Sequence, residues 1–157
     1  MKAFKVVLLG LILIACNSNS NSFSQSDLTP EQIVEAFFNL YDSKGIDPAL
    51  EYIFSTNKWI VSDKEGLNNL KNPLKDLASQ VGEYRGKELI AKKSIGENYI
   101  LWSYIIKYDR QPIRFQFIFY KPSDKWQLQD FRYDDDLDIE LIEAANAYRL
   151  MENLPGN

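Results

Sequence analysis

Residues 99–120 read YILWSYIIKYDRQPIRFQFIFY, and this stretch decides the fold. Large apolar side chains recur at every second position on both sides of Asp109-Arg110-Gln111-Pro112. A period of two marks strands, and a proline that cannot donate to a ladder belongs in the connection between them. The stretch is a β-hairpin. If Tyr108 faces Ile113 across the turn, Trp102 faces Phe119 and Tyr104 faces Phe117. One face then holds Ile100, Trp102, Tyr104, Ile106, Ile113, Phe115, Phe117 and Phe119. The other holds Tyr99, Ser103, Lys107, Arg114, Gln116 and Tyr120 and is much wetter. A sheet with one apolar face needs a second layer on that face.

Outward from the hairpin the same period continues. Strands are predicted over 84–95, 98–109, 113–121 and 125–134. Their turns are Gly96-Glu97, Arg110-Gln111-Pro112 and Pro122-Ser123-Asp124. Successive strands joined by tight turns form an antiparallel meander. The last strand breaks parity: Trp126 and Leu128 share one face, Phe131 and Tyr133 the other. Either a bulge near Gln129-Asp130 restores the apolar face, or Asp130 and Arg132 point inward among aromatics. Exposing Phe131 would forgo roughly 1.5–3 kcal/mol, and burying the charged pair would have to offset its desolvation. We therefore expect the bulge, with Phe131 buried and Asp130 substantially exposed.

Before the sheet the period is helical. Thr29-Pro30-Glu31-Gln32 reads as a capping box with proline at the first helical position. Ile33, Val34, Phe37, Phe38, Leu40 and Tyr41 follow as a broad apolar face, and Gly45 is a stop. A short helix restarts at Asp47-Pro48 and runs through Phe54. A loop carrying Trp59 follows. Ser62 or Asp63 then caps a third helix, with Leu67, Leu70, Leu74, Leu77 and Val81 on one stripe. Pro73 lies inside that stripe and is expected to kink or split it, with Asn72 capping the second half. Gly82 ends it. Beyond the sheet, Asp138 is expected to cap a final helix. There Leu137, Leu141, Ala144, Tyr148 and Met151 recur at alternating spacings of four and three, to pack on the sheet or meet a partner helix. Pro155-Gly156 ends it. The fold class is α+β: N-terminal helices packed on a curved four-stranded antiparallel meander, with a C-terminal helix.

The N-terminus is of another kind. A positive start with Lys2 and Lys5 precedes the apolar run 6–15, VVLLGLILIA, which at ten residues is too short to span a bilayer. It reads as a secretory signal. Its end, Leu13-Ile14-Ala15-Cys16, resembles the lipobox of bacterial lipoproteins. That resemblance implies cleavage before Cys16 and diacylglycerol on its sulfur, with acyl chains as the anchor in the bilayer. Residues 17–29, NSNSNSFSQSDLT, lack apolar periodicity and read as a flexible tether. Domain organisation is then a signal peptide over 1–15, lipidated cysteine and tether over 16–29, and one cone-like domain over 30–154. The residue after Cys16 is Asn17. The aspartate there that resembles the inner-membrane retention signal of enteric bacteria is missing, which in a diderm source favours the outer membrane.

Composition removes several chemistries. The 157 residues contain no histidine and one cysteine. Histidine-dependent triads, histidine-ligated metals and intramolecular disulfides are therefore excluded. The formal net charge of −4 lacks the basic footprint that nucleic acid requires. No cofactor is implied. The acidic run Asp134-Asp135-Asp136, Asp138 and Glu140 departs from a calcium loop, since Ile139 stands where glycine is needed. Such residues suit a helix start without any metal.

Helices followed by a curved meander with aromatic inner positions resemble the nuclear-transport-factor-2-like superfamily of cone-shaped domains. The resemblance is carried by Ile33-Val34-Glu35-Ala36-Phe37-Phe38, by Gly82-Glu83-Tyr84, and by Tyr120-Lys121-Pro122 with Lys125-Trp126-Gln127-Leu128. It implies a small lipid-anchored domain, and for catalytic members acids inside the cone. Trp102, Tyr104, Phe117 and Trp126 are candidates to line an apolar pocket, with Arg132 to hold an acidic group or pair with Asp130. The expected function is a lipid-anchored cell-envelope protein that is not an enzyme. Its cone would bind a small apolar ligand or an envelope protein. One alternative is a small isomerase or dehydratase using Asp130 and Tyr104. The other is a purely structural or inhibitory interaction module.

Overall fold

The computed structural model describes residues 28–152. The signal segment, Cys16, the tether through residue 27 and Pro155-Gly156 lie outside the described residues. Helix α1 (Pro30–Lys44) starts at the expected capping box: Gln32 N–H donates to Thr29 Oγ1 at 3.3 Å and Thr29 N–H to Gln32 Oε1 at 2.8 Å. Its buried stripe is Ile33, Val34, Phe37, Phe38 and Tyr41. Gly45, at φ 85°, ends α1 and admits α2 (Ile46–Ser55), a conformation that glycine adopts without a Cβ penalty. Helix α2 buries Ala49, Leu50, Ile53 and Phe54.

The expected loop at Trp59 is instead a short helix, α3 (Lys58–Ser62), because Asn57 Oδ1 caps it by accepting from Trp59 N–H at 2.9 Å. Helix α4 (Lys64–Val81) is capped by Asp63 and runs through Pro73 as one helix rather than two. Pro73 faces solvent, and so does Asn69, whose carbonyl loses its partner. Water can satisfy that carbonyl, which lowers the cost of the missing bond.

The sheet is the expected meander, ordered β1 (Tyr84–Ile95), β2 (Tyr99–Tyr108), β3 (Ile113–Tyr120), β4 (Gln127–Asp134). Its register in the central hairpin differs from the expectation by two residues. Ile106, not Tyr108, faces Ile113, so Trp102 faces Phe117 and Tyr104 faces Phe115. Three hydrogen bonds hold the chain after Tyr108 away from a tight turn. Arg110 N–H donates to Val81 O at 2.9 Å, and Asp109 accepts from Glu83 N–H at 2.9 Å and from Arg85 Nε at 2.6 Å. The end of α4 thus pins the connection. A shift of two preserves the faces, so the inner row remains as read.

Helices α1 and α2 cover that row. Phe37, Phe115, Phe117 and Phe119 have no exposed surface. Phe37 meets Phe117 edge to face at 5.2 Å, and Phe131 lies 5.3 Å from Phe115 and 5.2 Å from Phe117. The interior is filled by interlocking rings. In layout the helices and the four-stranded sheet resemble the cone of the nuclear-transport-factor-2-like domains.

Both outer strands carry devices that blunt a free edge. Strand β1 has register shifts between Tyr84 and Gly86 and between Leu89 and Ala91. The second shift places Lys87 and Lys92, five positions apart, on the same inner face, opposite Ile106 and Trp102. There Lys87 pairs with Glu35 across the Phe38 ring, and Lys92 lies 3.9 Å from the Trp102 ring centroid. On β4, Leu128 N–H donates to Thr56 Oγ1 at 3.0 Å and Leu128 O accepts from Asn57 Nδ2 at 2.7 Å.

The bulge in β4 is present. Ile118 faces Asp130 and Phe119 faces Leu128, leaving Gln129 as the extra residue. Leu128 and Phe131 are both buried on the inner face, and Asp130 keeps 37% of its side chain exposed on the outer one. Helix α5 (Leu137–Glu152) begins one residue before Asp138, which therefore sits in the first turn and does not cap it. Residues 138–147 of α5 are exposed, and Glu140 ties the helix to Arg114 of β3.

Candidate functional site

The residues read as pocket candidates occupy three different settings. Trp102, Tyr104 and Phe117 lie in the core against α1, with Phe38 5.1 Å from the Tyr104 ring. Trp126 is half-buried at its margin. Arg132 lies on the outer face, and its Nε donates to Asp130 Oδ2 at 2.7 Å. Tyr104 and Asp130 are on opposite faces of the sheet, so the structure does not bring that pair together. Burial, with Glu35 and Glu31 nearby, pushes the Tyr104 hydroxyl up to about 12.

A cleft lies elsewhere, between α3, the start of α4 and the bulged edge of β4. It encloses about 530 Å³, within the range that suits a small ligand. Its floor is Phe54, Phe131, Leu67 and Leu70. Phe54 and Phe131 meet edge to face at 6.2 Å, so the floor is continuous with the aromatic core. Its walls exist because of local hydrogen bonding. Asn57 is only 3% exposed and has two duties, capping α3 and holding Leu128. Asp63 caps α4 by accepting from Gly66 N–H at 2.9 Å. A Cβ on Gly66 would stand 2.3 Å from Asp63 Oδ2, so a larger residue there would make the Asp63 carboxylate shift. The bulge sets the opposite wall by aiming Gln129 and Asp130 away from the core.

Of these residues the sequence singled out Gln129, Asp130 and Phe131 through the parity break, and Asp63 as a cap. It placed Trp59 in a loop and Leu67 and Leu70 on a core stripe, and gave Asn57 no role. The available signal was Trp59-Ile60-Val61, an apolar run in a polar surrounding. Trp59 stands 69% exposed at the cleft.

Two other groups are structural. The Tyr41 and Tyr108 hydroxyls share a buried hydrogen bond. Burial raises both above the usual phenol range. Asp134 and Glu140 both pair with Arg114, which places two members of the acidic run in ion pairs. Among the described residues no three acidic, cysteine or histidine side chains converge as a metal site. No described helix is long and apolar enough to cross a membrane.

Comparison with known protein families, curated proteins and solved structures finds no match to this chain.

Proposed function

We propose that the chain is a lipid-anchored, extracytoplasmic binding protein without catalytic activity. Its ligand site is the lateral cleft and not the cone interior. The observation that carries this is the contrast between a core filled with phenylalanine rings and a cleft of about 530 Å³ beside the β4 bulge. An apolar floor rimmed by a few polar groups is how small-molecule sites are built. The fold suits a binder of a small molecule or a protein, and the anchor reading rests on Leu13-Ile14-Ala15-Cys16. Titration of apolar fragments should move the backbone amide resonances of 57–70 and 127–131. Leu67→Trp, which fills the cleft, should abolish those shifts with the fold intact. Shifts elsewhere, or none, would discard the cleft. Cys16→Ser should release the protein from membranes, and an unmodified Cys16 on mature protein would discard the anchor.

A second reading, an interaction module, is favoured by α5, where Leu141 is 71% and Ile142 57% exposed. A photo-crosslinker at position 141 in native membranes should then capture a protein. Its failure to do so would leave the cleft as the single site.

A further inference from the structure

The cleft also has a charge signature. Its two ionisable lining side chains, Asp63 and Asp130, are both carboxylates, and among the described residues no lysine or arginine lines it. Asp63 Oδ1 accepts from Gly66 N–H, and Asp130 Oδ2 accepts from Arg132 Nε. Each carboxylate thus keeps a second oxygen able to accept from a ligand. Trp59 offers its ring beside them, and that ring already attracts a cation: Lys58 Nζ lies 5.0 Å from its centroid. An anion entering here would meet two like charges. An uncharged ligand can donate to the carboxylates but leaves their charge unmatched.

We propose that the cleft selects a small organic cation, an ammonium group on an aromatic or branched aliphatic body. The body lies on Phe54, Leu67, Leu70 and Phe131. The ammonium faces the carboxylates and the Trp59 ring, which supply charge-assisted hydrogen bonds and cation–π attraction. This rests on the reading of the cleft as a ligand site.

The test is a titration of the full chain with phenethylamine, phenethyl alcohol and phenylacetate, which share one body and differ in charge. Amide shifts at 57–70 and 127–131 report occupancy. Phenethylamine should bind roughly tenfold tighter than the alcohol, and phenylacetate most weakly. Asp63→Asn keeps the helix cap, since asparagine caps as well as aspartate. It and Asp130→Asn should each weaken the amine several-fold and narrow its advantage over the alcohol. Lys58→Gln, which removes the resident cation, should tighten the amine. Equal binding of amine and alcohol, or preference for phenylacetate, would overturn the charge selection and leave the cleft as a site. Absence of shifts there with all three compounds would overturn the cleft itself.

Discussion

Removing Gln129 tests the logic of the last strand. Gln129 is the residue without a partner on β3, so the deletion leaves Leu128 facing Phe119, Asp130 facing Ile118 and Phe131 facing Phe117 in a regular ladder. Leu128 inward, Asp130 outward and Phe131 inward then alternate without a bulge. Leu128 is 0% and Phe131 3% exposed, and both stay buried. The deletion should therefore cost no more than about 1 kcal/mol. Leu128→Ala and Phe131→Ala, which do empty the core, should cost roughly 2–5 kcal/mol each. A domain of this size has about 5–15 kcal/mol in all. Urea unfolding followed by tryptophan fluorescence measures all three, with the alanine variants lowering the midpoint by roughly 1–3 M and the deletion by much less. A deletion as costly as Leu128→Ala would refute the role given to the bulge, since Gln129 would then be a paired residue and not an extra one.

The tyrosine pair gives a double-mutant cycle. Tyr41→Phe or Tyr108→Phe leaves one buried hydroxyl without its partner and should cost about 1–3 kcal/mol, whereas the double variant should be less destabilised than the two single losses added together. Alkaline titration should also lower stability. Burial, with Asp42, Tyr41 and Glu35 nearby, pushes the Tyr84 hydroxyl up to about 12, so the folded chain holds a proton that the unfolded chain releases near 10. Stability is full below the unfolded value and declines as the pH rises through the folded one, which denaturation at about pH 9 and about pH 12 would check. Asn57→Ala should cost about 1–3 kcal/mol by orphaning the Leu128 carbonyl, and hydrogen exchange at the start of β4 should speed up with it.

The meander, the inner row and the bulge were legible because alternation of side chains survives any even shift in register. The register itself was not, because what sets it is distant in sequence: Val81 and Glu83 bind Asp109 and Arg110 across 26 to 29 residues. Helix α3 escaped notice since a single asparagine nucleates it, and Asn57 in isolation says only turn or cap. Pro73 was read by its local cost, which an exposed position reduces. The cleft was illegible for a further reason. Leu67, Leu70 and Phe131 are core-type residues by pattern, and only the angle between α4 and the edge of β4 leaves space above them. The place of α5 stayed open in the sequence between the sheet and a partner helix; Glu140 pairs with Arg114 on the wetter face, where few apolar groups await a helix.

The treatment of β1 and β4 bears on how copies of this chain can associate. A ladder passed from one molecule to the next would have to recruit an outermost strand. At β4 it would have to extract Asn57 from the interior and give up the α3 cap. At β1 it would meet a backbone twisted out of line twice, beside Lys87, Lys92 and Lys93. Fibrillar growth is therefore obstructed from either direction. Reversible self-association, wherever it arises, is confined to broad surfaces such as the wetter side of the sheet or the flank of α5, where it can end with two molecules and need not propagate.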